Sequence, residues 1–341
     1  MPNLYLEVLN KAWKAHLAPR EPNAPTVLST FAGCGGSSLG YSMAGFRELL
    51  AVEWDDNAVE NFKLNFPEVP VYHGDIGKLS VEEALDRTGL KPGQLDVFDG
   101  SPPCQGFSTA GRRMVDDPRN QLFREFVRLL KGLQSKVFVM ENVSGMIKGA
   151  HKDIQGEIME ELRSAGYKVS CRLLSAHLLG VPQKRQRLIF IGVRNDLPAE
   201  PSHPKPNSAP INVAKAFEGL PPDGTKVLKG QALYLWQRTL PGQHFSEAHP
   251  KGHWFNPSKL DPRKPAYTMT KMCNPGALGL FHWAAPRLIN IAEAKRISSF
   301  PDDFQFTGTF VEQWARMGNC VPPLMMKAVA DHIHQTILAK L

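Results

Sequence analysis

The 341 residues predict an α/β fold: a parallel sheet covered by helices, followed by a smaller, less regular domain. Three observations predict it. Short β-rich runs alternate with helical stretches from residue 26 to residue 193. A glycine cluster follows the first of those runs directly. Past residue 194 the periodicity fails, and twelve of the 28 prolines fall between 198 and 265.

Residues 1–20 mix Lys11, Lys14 and Arg20 with Trp13 and Leu17, which reads as an amphipathic helix without the apolar core of a secretory signal. Strand 27–31 is followed by helix 37–44, strand 49–53 by helix 57–66, and strand 69–72 by helix 81–87. The series continues with strand 95–98, helix 121–133, strand 137–140, helix 152–165, and strands near 168–174 and 188–193. Strands alternating with helices of this length build crossover units. Residues 198–210 have the composition of a linker, 213–220 a short helix, and 224–282 loops and irregular strands. A final helix covers 324–339. The domains expected are thus 1–195, with 308–341 packing back onto it, and 196–307.

Hydrophobic content of 42% and charged content of 21% are those of a globular chain, and no apolar run reaches membrane-spanning length. Five cysteines without a C-x-x-C pair argue against a disulfide framework and a zinc site, and the histidine spacing matches no metal site, so no metal is expected. A reducing, cytoplasmic compartment fits. The net charge is +7, and residues 224–286 carry eight Lys/Arg against Glu247 and Asp261. With Tyr234, Trp236, Phe245, Trp254, Phe255 and Tyr267 among the basic residues, such a segment suits a polyanion-binding surface or, more plainly, a solvated basic face.

In doubly wound sheets ligands bind beyond the carboxyl ends of the strands. Phe31-Ala-Gly-Cys-Gly-Gly36 stands there, although its spacing is not that of a dinucleotide fold. Glu53 could accept from ribose hydroxyls, Trp54 could stack on adenine, and Asp75 could accept from an adenine amino group. Helix caps at Glu53 and Asp75 and a core position for Trp54 are the alternatives. In Gly100-Ser-Pro-Pro-Cys-Gln-Gly-Phe-Ser108 two prolines stiffen the arm before Cys104, so the thiol is a nucleophile or else a buried structural cysteine. The polar stretch 108–120, with Arg112 and Arg113, looks like a lid or a surface loop.

These motifs, with Glu141-Asn-Val143, Gln183-Lys-Arg-Gln-Arg187 and Gly318-Asn-Cys-Val-Pro-Pro323, appear in an order that resembles the cytosine-5 DNA methyltransferases of bacterial type, over almost the whole chain. The resemblance implies a Rossmann-like domain that binds S-adenosyl-L-methionine, with a smaller target-recognition domain. Phe31, Ala32, Gly33, Cys34, Gly35, Gly36, Glu53, Trp54, Asp75, Ile76, Pro102, Asn319 and Val321 would form the cofactor pocket. Family members usually carry Ser where Cys320 stands.

Cytosine C5 is a poor nucleophile toward a methyl sulfonium, and thiolate addition at C6 turns it into an enamine carbon. The resemblance assigns that addition to Cys104 and the proton donor near N3 to Glu141, with Asn142 orienting the loop. Alternation puts Arg185 and Arg187 on one face of an extended segment. Arg187 would reach the cytosine O2 and the Glu141 carboxylate, and Arg185 would support it or contact phosphate. The substrate implied is a specific sequence in double-stranded DNA, its target base flipped out of the stack. Ser108, Arg112, Arg113, Lys226, Lys229 and Arg263 are the expected DNA contacts. The implied enzyme is a monomer, alone or beside a cognate restriction endonuclease. The alternatives are tRNA cytosine-5 methylation, whose Cys-Phe-Thr signature is missing, and a nucleic-acid-binding regulator without catalysis.

Overall fold

The computed structural model describes residues 3–103, 118–147, 152–221, 227–252, 257–274 and 278–341. By contacts the chain divides into two compact units. The larger holds Ala15–Leu174, Gln186–Lys205 and Met326–Leu341, and the smaller holds Met1–Lys14, Ser175–Arg185 and Pro206–Met325. Besides most of the insertion expected at 196–307, the smaller unit therefore takes in the chain start, Ser175–Arg185 and residues up to Met325.

After helix α1 (Leu4–Leu17), the larger unit is built on β1 (Thr26–Thr30), α2 (Gly36–Met43), β2 (Arg47–Glu53), α3 (Asp56–Asn65), β3 (Val71–His73), α4 (Val81–Thr88) and β4 (Val97–Gly100). Helix α5 (Pro118–Leu133), β5 (Val137–Val143), α6 (Lys152–Ser164), β6 (Tyr167–Ser175) and β7 (Gln186–Arg194) complete the sheet region. The strand order is β3-β2-β1-β4-β5-β7-β6. Strands β1 to β5 pair in parallel, as expected, and β7 runs antiparallel to β5. The order reverses at β1 and β4, so the loops after these two strands border the crevice where such sheets bind ligands.

Local chemistry sets the ends of these elements. All five residues of β1 are buried, which requires a strand covered on both faces. Asp55 caps α3 by accepting from Ala58 N at 2.9 Å, and Ser80 caps α4 by accepting from Glu83 N at 3.0 Å. On one side of the sheet Phe98 stacks on Phe126 at 4.7 Å, inside a core with Leu28, Leu130, Phe138 and Phe190. Gly192 in β7 has to be glycine, because any Cβ there would collide with the Phe138 ring.

The smaller unit contains α7 (Val213–Phe217), α8 (Gly230–Arg238), α9 (Phe245–Ala248), β8 (Pro257–Lys259), β9 (Gly279–Phe281), α10 (Ile291–Ile297) and α11 (Phe310–Asn319). The helix expected at 213–220 forms as α7, while helices α8 and α9 depart from the expectation of loops and irregular strands over 224–282. Leu228, Ala232, Leu235, Phe245, Phe281 and Leu288 form its own cluster. Helix α8 spans nine residues between Gly230 and Pro241, which leaves too short a window for a helical period to stand out. The last helix, α12 (Pro323–His332), runs on into a π turn over Ile333–Ile337.

Candidate active site

Past β1 the backbone takes three left-handed steps, at Phe31 (φ +55°), Gly33 (φ +57°) and Gly35 (φ +90°). A Cβ on Gly35 would strike the Phe66 ring, whereas one on Gly33 would meet nothing within 4 Å, so the turn is closed behind and open in front. Gly35 precedes α2 without a side-chain cap, and Gly36 and Cys34 are buried around the first turn. Ala32 is buried and donates from its backbone to the Val52 carbonyl at 3.1 Å.

Glu53, at the end of β2, ties this turn to its own strand. Oε2 accepts from Gly33 N at 2.7 Å, and Oε1 accepts from Trp54 N at 2.8 Å and Asp55 N at 3.0 Å. A carboxylate has about four lone-pair sites, so one held by three backbone donors keeps acceptor capacity while its position is fixed. Trp54 beside it is 76% exposed, which rules out the core reading and leaves an indole face for stacking. Asp75 is a cap: it accepts from Gly77 N at 2.9 Å at the start of the turn that contains buried Ile76. An open glycine turn, a fixed acceptor and an exposed aromatic face match what a sulfonium-bearing nucleoside needs, so these residues fit S-adenosylmethionine.

Two strands away, Glu141 lies near the end of β5 and is 7% exposed. The antiparallel register sets Val143 opposite Arg187, and the Arg187 Nε meets Glu141 Oε1 at 2.5 Å as a buried ion pair. Next to Glu141, the Asn142 side chain donates to the Pro102 carbonyl at 3.0 Å and accepts from Val143 N at 2.9 Å. It straps the proline arm to the end of β5. Cys104 lies just beyond that arm, outside the described residues, as do Ser108, Arg112, Arg113 and Lys226.

The remaining expected residues fall in the smaller unit. Arg185 is 2% exposed and donates to the Met269 and Gly318 carbonyls, both at 2.8 Å. A phosphate contact needs exposure that it lacks, and its guanidinium is spent on carbonyls of the smaller unit. A Cβ at Gly318 would collide with the Thr270 carbonyl, which explains the glycine of this motif. Asn319 closes α11 and is exposed, while Val321 is 4% exposed. Lys229 precedes α8 and is exposed. Arg263 is exposed but paired with Asp261 at 3.1 Å, and that pairing holds the Asp261 carboxyl down at about 2. Among the described residues no His, Cys, Asp or Glu cluster could hold a metal.

Asp99 carries no role expected from the sequence. It is 2% exposed in β4, accepts from the Tyr41 hydroxyl, and shares a sheet face with Val139 and Glu141. Burial pushes its carboxyl well above the usual range; the Tyr41 hydrogen bond opposes this, and the nearby charges of Glu48 and Glu141 add to it. The signal available was an acid inside an apolar strand.

Residues 26–335 match the family model of the C-5 cytosine-specific DNA methylases. The chain is 36% identical to the Type II methyltransferase M1.HphI of Haemophilus parahaemolyticus, over 90% of its own length and 86% of that protein's. It is 31% identical to M.XorII of Xanthomonas oryzae, also a Type II methyltransferase, over 93% and 86% of the two lengths. A solved structure described as a DNA modification methyltransferase encoded within an E. coli prophage superposes with a TM-score of 0.75 at 26% identity, covering 92% of this chain and all of the other.

Proposed function

The chain belongs to the C-5 cytosine-specific DNA methylase family, and from that premise we propose how its own residues carry out the transfer. The enzyme methylates C5 of cytosine in DNA, and S-adenosyl-L-methionine supplies the electrophilic methyl group. Glu53 holds the ribose hydroxyls, Trp54 stacks on the adenine, and Asp75 and Ile76 border the base. The backbone of Phe31, Ala32, Gly33, Cys34, Gly35 and Gly36, with Pro102, frames the rest of the pocket.

The Cys104 thiolate adds to C6 of a cytosine flipped out of the duplex. Glu141 donates a proton toward N3 as charge moves onto the ring, so that C5 becomes an enamine carbon. Arg187 keeps the Glu141 carboxyl in place and reaches the cytosine O2. Once C5 has gained its methyl group, loss of the C5 proton to a base, departure of the thiolate and return of the N3 proton to the Glu141 carboxylate restore the aromatic ring. Asn142 positions the arm that carries Cys104, and Arg185 supports the segment that leads to Arg187.

The observation that carries this reading is the pairing of two links at one strand end: the buried Glu141–Arg187 contact, and the strap from Asn142 to Pro102 two residues before Cys104. Residues 224–286, with Lys226, Lys229 and Arg263, read a specific sequence in double-stranded DNA, and Ser108, Arg112 and Arg113 close over it. The basic excess of that segment supports this assignment. We place 1–195 and 308–341 in the catalytic domain and 196–307 in recognition, acting as a cytoplasmic monomer. The Type II names of the relatives support a restriction-modification setting with a cognate endonuclease. Bisulfite sequencing of plasmid DNA from cells expressing the protein tests the reading: protected cytosines should recur in one short sequence, and plasmid without protected cytosines sinks it.

A further inference from the structure

Helix α8 (Gly230–Arg238) buries one side only. Ala232 and Leu235 lie in the smaller unit's core, and Trp236 fastens the helix by donating from Nε1 to the His282 carbonyl at 2.9 Å. On the opposite face, at helical spacing, stand Gln231, Tyr234, Gln237 and Arg238, all exposed. Lys229 precedes them. The acids of segment 224–286 are already committed to the fold: Asp261 is held by Arg263 and Lys264, and Glu247 accepts from the His244 backbone at 3.0 Å. The helix face therefore presents donors, acceptors and positive charge without a carboxylate.

The Arg238 guanidinium lies 3.6 Å from the centre of the Tyr234 ring. A stacked guanidinium keeps its planar fork in place, so less rotamer freedom is lost when it forms two parallel hydrogen bonds. Lys259 shows the contrasting use of a cation. It sits 3.7 Å from the Trp236 ring, donates to the Trp236 carbonyl at 3.0 Å, and is 6% exposed, so it holds the helix and faces no ligand. Phosphates ask only for donors and charge, whereas base edges present donors and acceptors side by side. The Gln237 amide, the Tyr234 phenol and a fixed guanidinium suit the second task, while the Gln231 amide meets His249 Nε2 at 3.2 Å. The major groove of B-DNA is wide enough for an α-helix.

We infer that the exposed face of α8 enters the major groove of the substrate duplex, and that Arg238, held flat by Tyr234, reads a guanine of the target sequence. The inference rests on the proposed reading of residues 224–286 as the recognition segment and assigns the base contact to one helix within it.

The test uses the full enzyme with S-adenosylmethionine and a pool of duplexes randomised around a central cytosine, with products read by bisulfite sequencing. Wild type should require guanine at one or more flanking positions. Both Arg238→Ala and Arg238→Lys should relax that requirement at a single position by about tenfold to a hundredfold, with the other positions unchanged. Lysine keeps the charge but not the fork, so it separates base reading from phosphate contact. A wild-type profile for Arg238→Lys, with Arg238→Ala weaker on every sequence alike, would make Arg238 a phosphate contact and overturn the inference. An unchanged profile in both variants would take α8 off the bases. Failure of the wild type to methylate any duplex is a separate result, which would remove the underlying reading of the chain as well. Both variants should bind S-adenosylmethionine as the wild type does, since Arg238 is an exposed surface residue.

Discussion

The Tyr41 hydroxyl donates to Asp99 Oδ1 at 3.0 Å, joining α2 to β4 one residue before the arm that leads to Cys104. Glu48 belongs to the same buried acidic group: Ser38 donates to it at 3.1 Å, and burial pushes its carboxyl up from 4.5 to about 7. Both acids bind protons more tightly folded than unfolded. The stability they contribute is therefore present in full at low pH, and falls as pH rises from the unfolded values toward about 7 for Glu48 and higher for Asp99. Relative to Glu48→Gln, the wild type should lose on the order of 3 kcal/mol between pH 4.5 and 7. Thermal unfolding followed against pH measures this, and a constant Tm gap across the range would clear Glu48.

Cys104→Ala should abolish methyl transfer and leave S-adenosylmethionine affinity near wild type, because the thiol belongs to the covalent step. Duplexes carrying 5-fluorocytosine should trap the wild type as a complex stable to denaturing gels, since fluorine blocks the final loss from C5. Turnover by the variant would remove Cys104 from the reaction.

Glu141→Gln should lower the single-turnover rate by about 100-fold or more, since an amide cannot deliver the proton. Arg187→Ala should act on folding as well, because it strands a buried carboxylate; removing one member of a buried pair costs roughly 3–5 kcal/mol. Urea denaturation distinguishes the two. If Glu141→Gln were the less stable protein, the pair would be structural first.

Trp54→Ala should weaken S-adenosylmethionine binding without loss of Tm, because a side chain 76% exposed contributes little to the core. Glu53→Ala should weaken binding and also release the Gly33 and Trp54 amides, so it should lower Tm too. Calorimetric titration of both variants decides; an unchanged cofactor constant in both would refute the pocket.

The chain start and the sheet were legible for different reasons than the site. Strands such as β1 and β5 are runs buried on both faces, and their composition shows it directly. Glu53 and Trp54 follow a strand end, where the fold places ligands, so position alone marked them. Arg185 could not be read in the same way, because its burial depends on the Met269 and Gly318 carbonyls, 84 and 133 residues away in sequence. Asp99 lay hidden for a similar reason: its partner Tyr41 is 58 residues earlier, on another element. Helix α8 escaped because glycine and proline bound a segment of only about two and a half turns.

Lys229 and Lys226 should carry more of the salt dependence of DNA binding than Arg263, whose charge is already shared with Asp261. Each lost phosphate contact reduces the slope of log affinity against log salt by about 0.9. Lys226→Ala with Lys229→Ala should therefore flatten the slope by nearly 2, and adding Arg263→Ala should change it little. An equal step for Arg263 would show that it leaves Asp261 when DNA binds.

The Tyr5 hydroxyl donates to the Arg296 carbonyl, 291 residues further along the chain, and Asn3 donates to the Lys215 carbonyl at 2.8 Å. The first helix thus leaves the ribosome long before its docking partners exist. At the usual pace of synthesis, that interval is roughly 15–60 s. Through it Tyr5, on the apolar side of α1, stays without the carbonyl that holds it, so a nascent chain halted before residue 296 should be a client for chaperones even when its sheet strands have already paired.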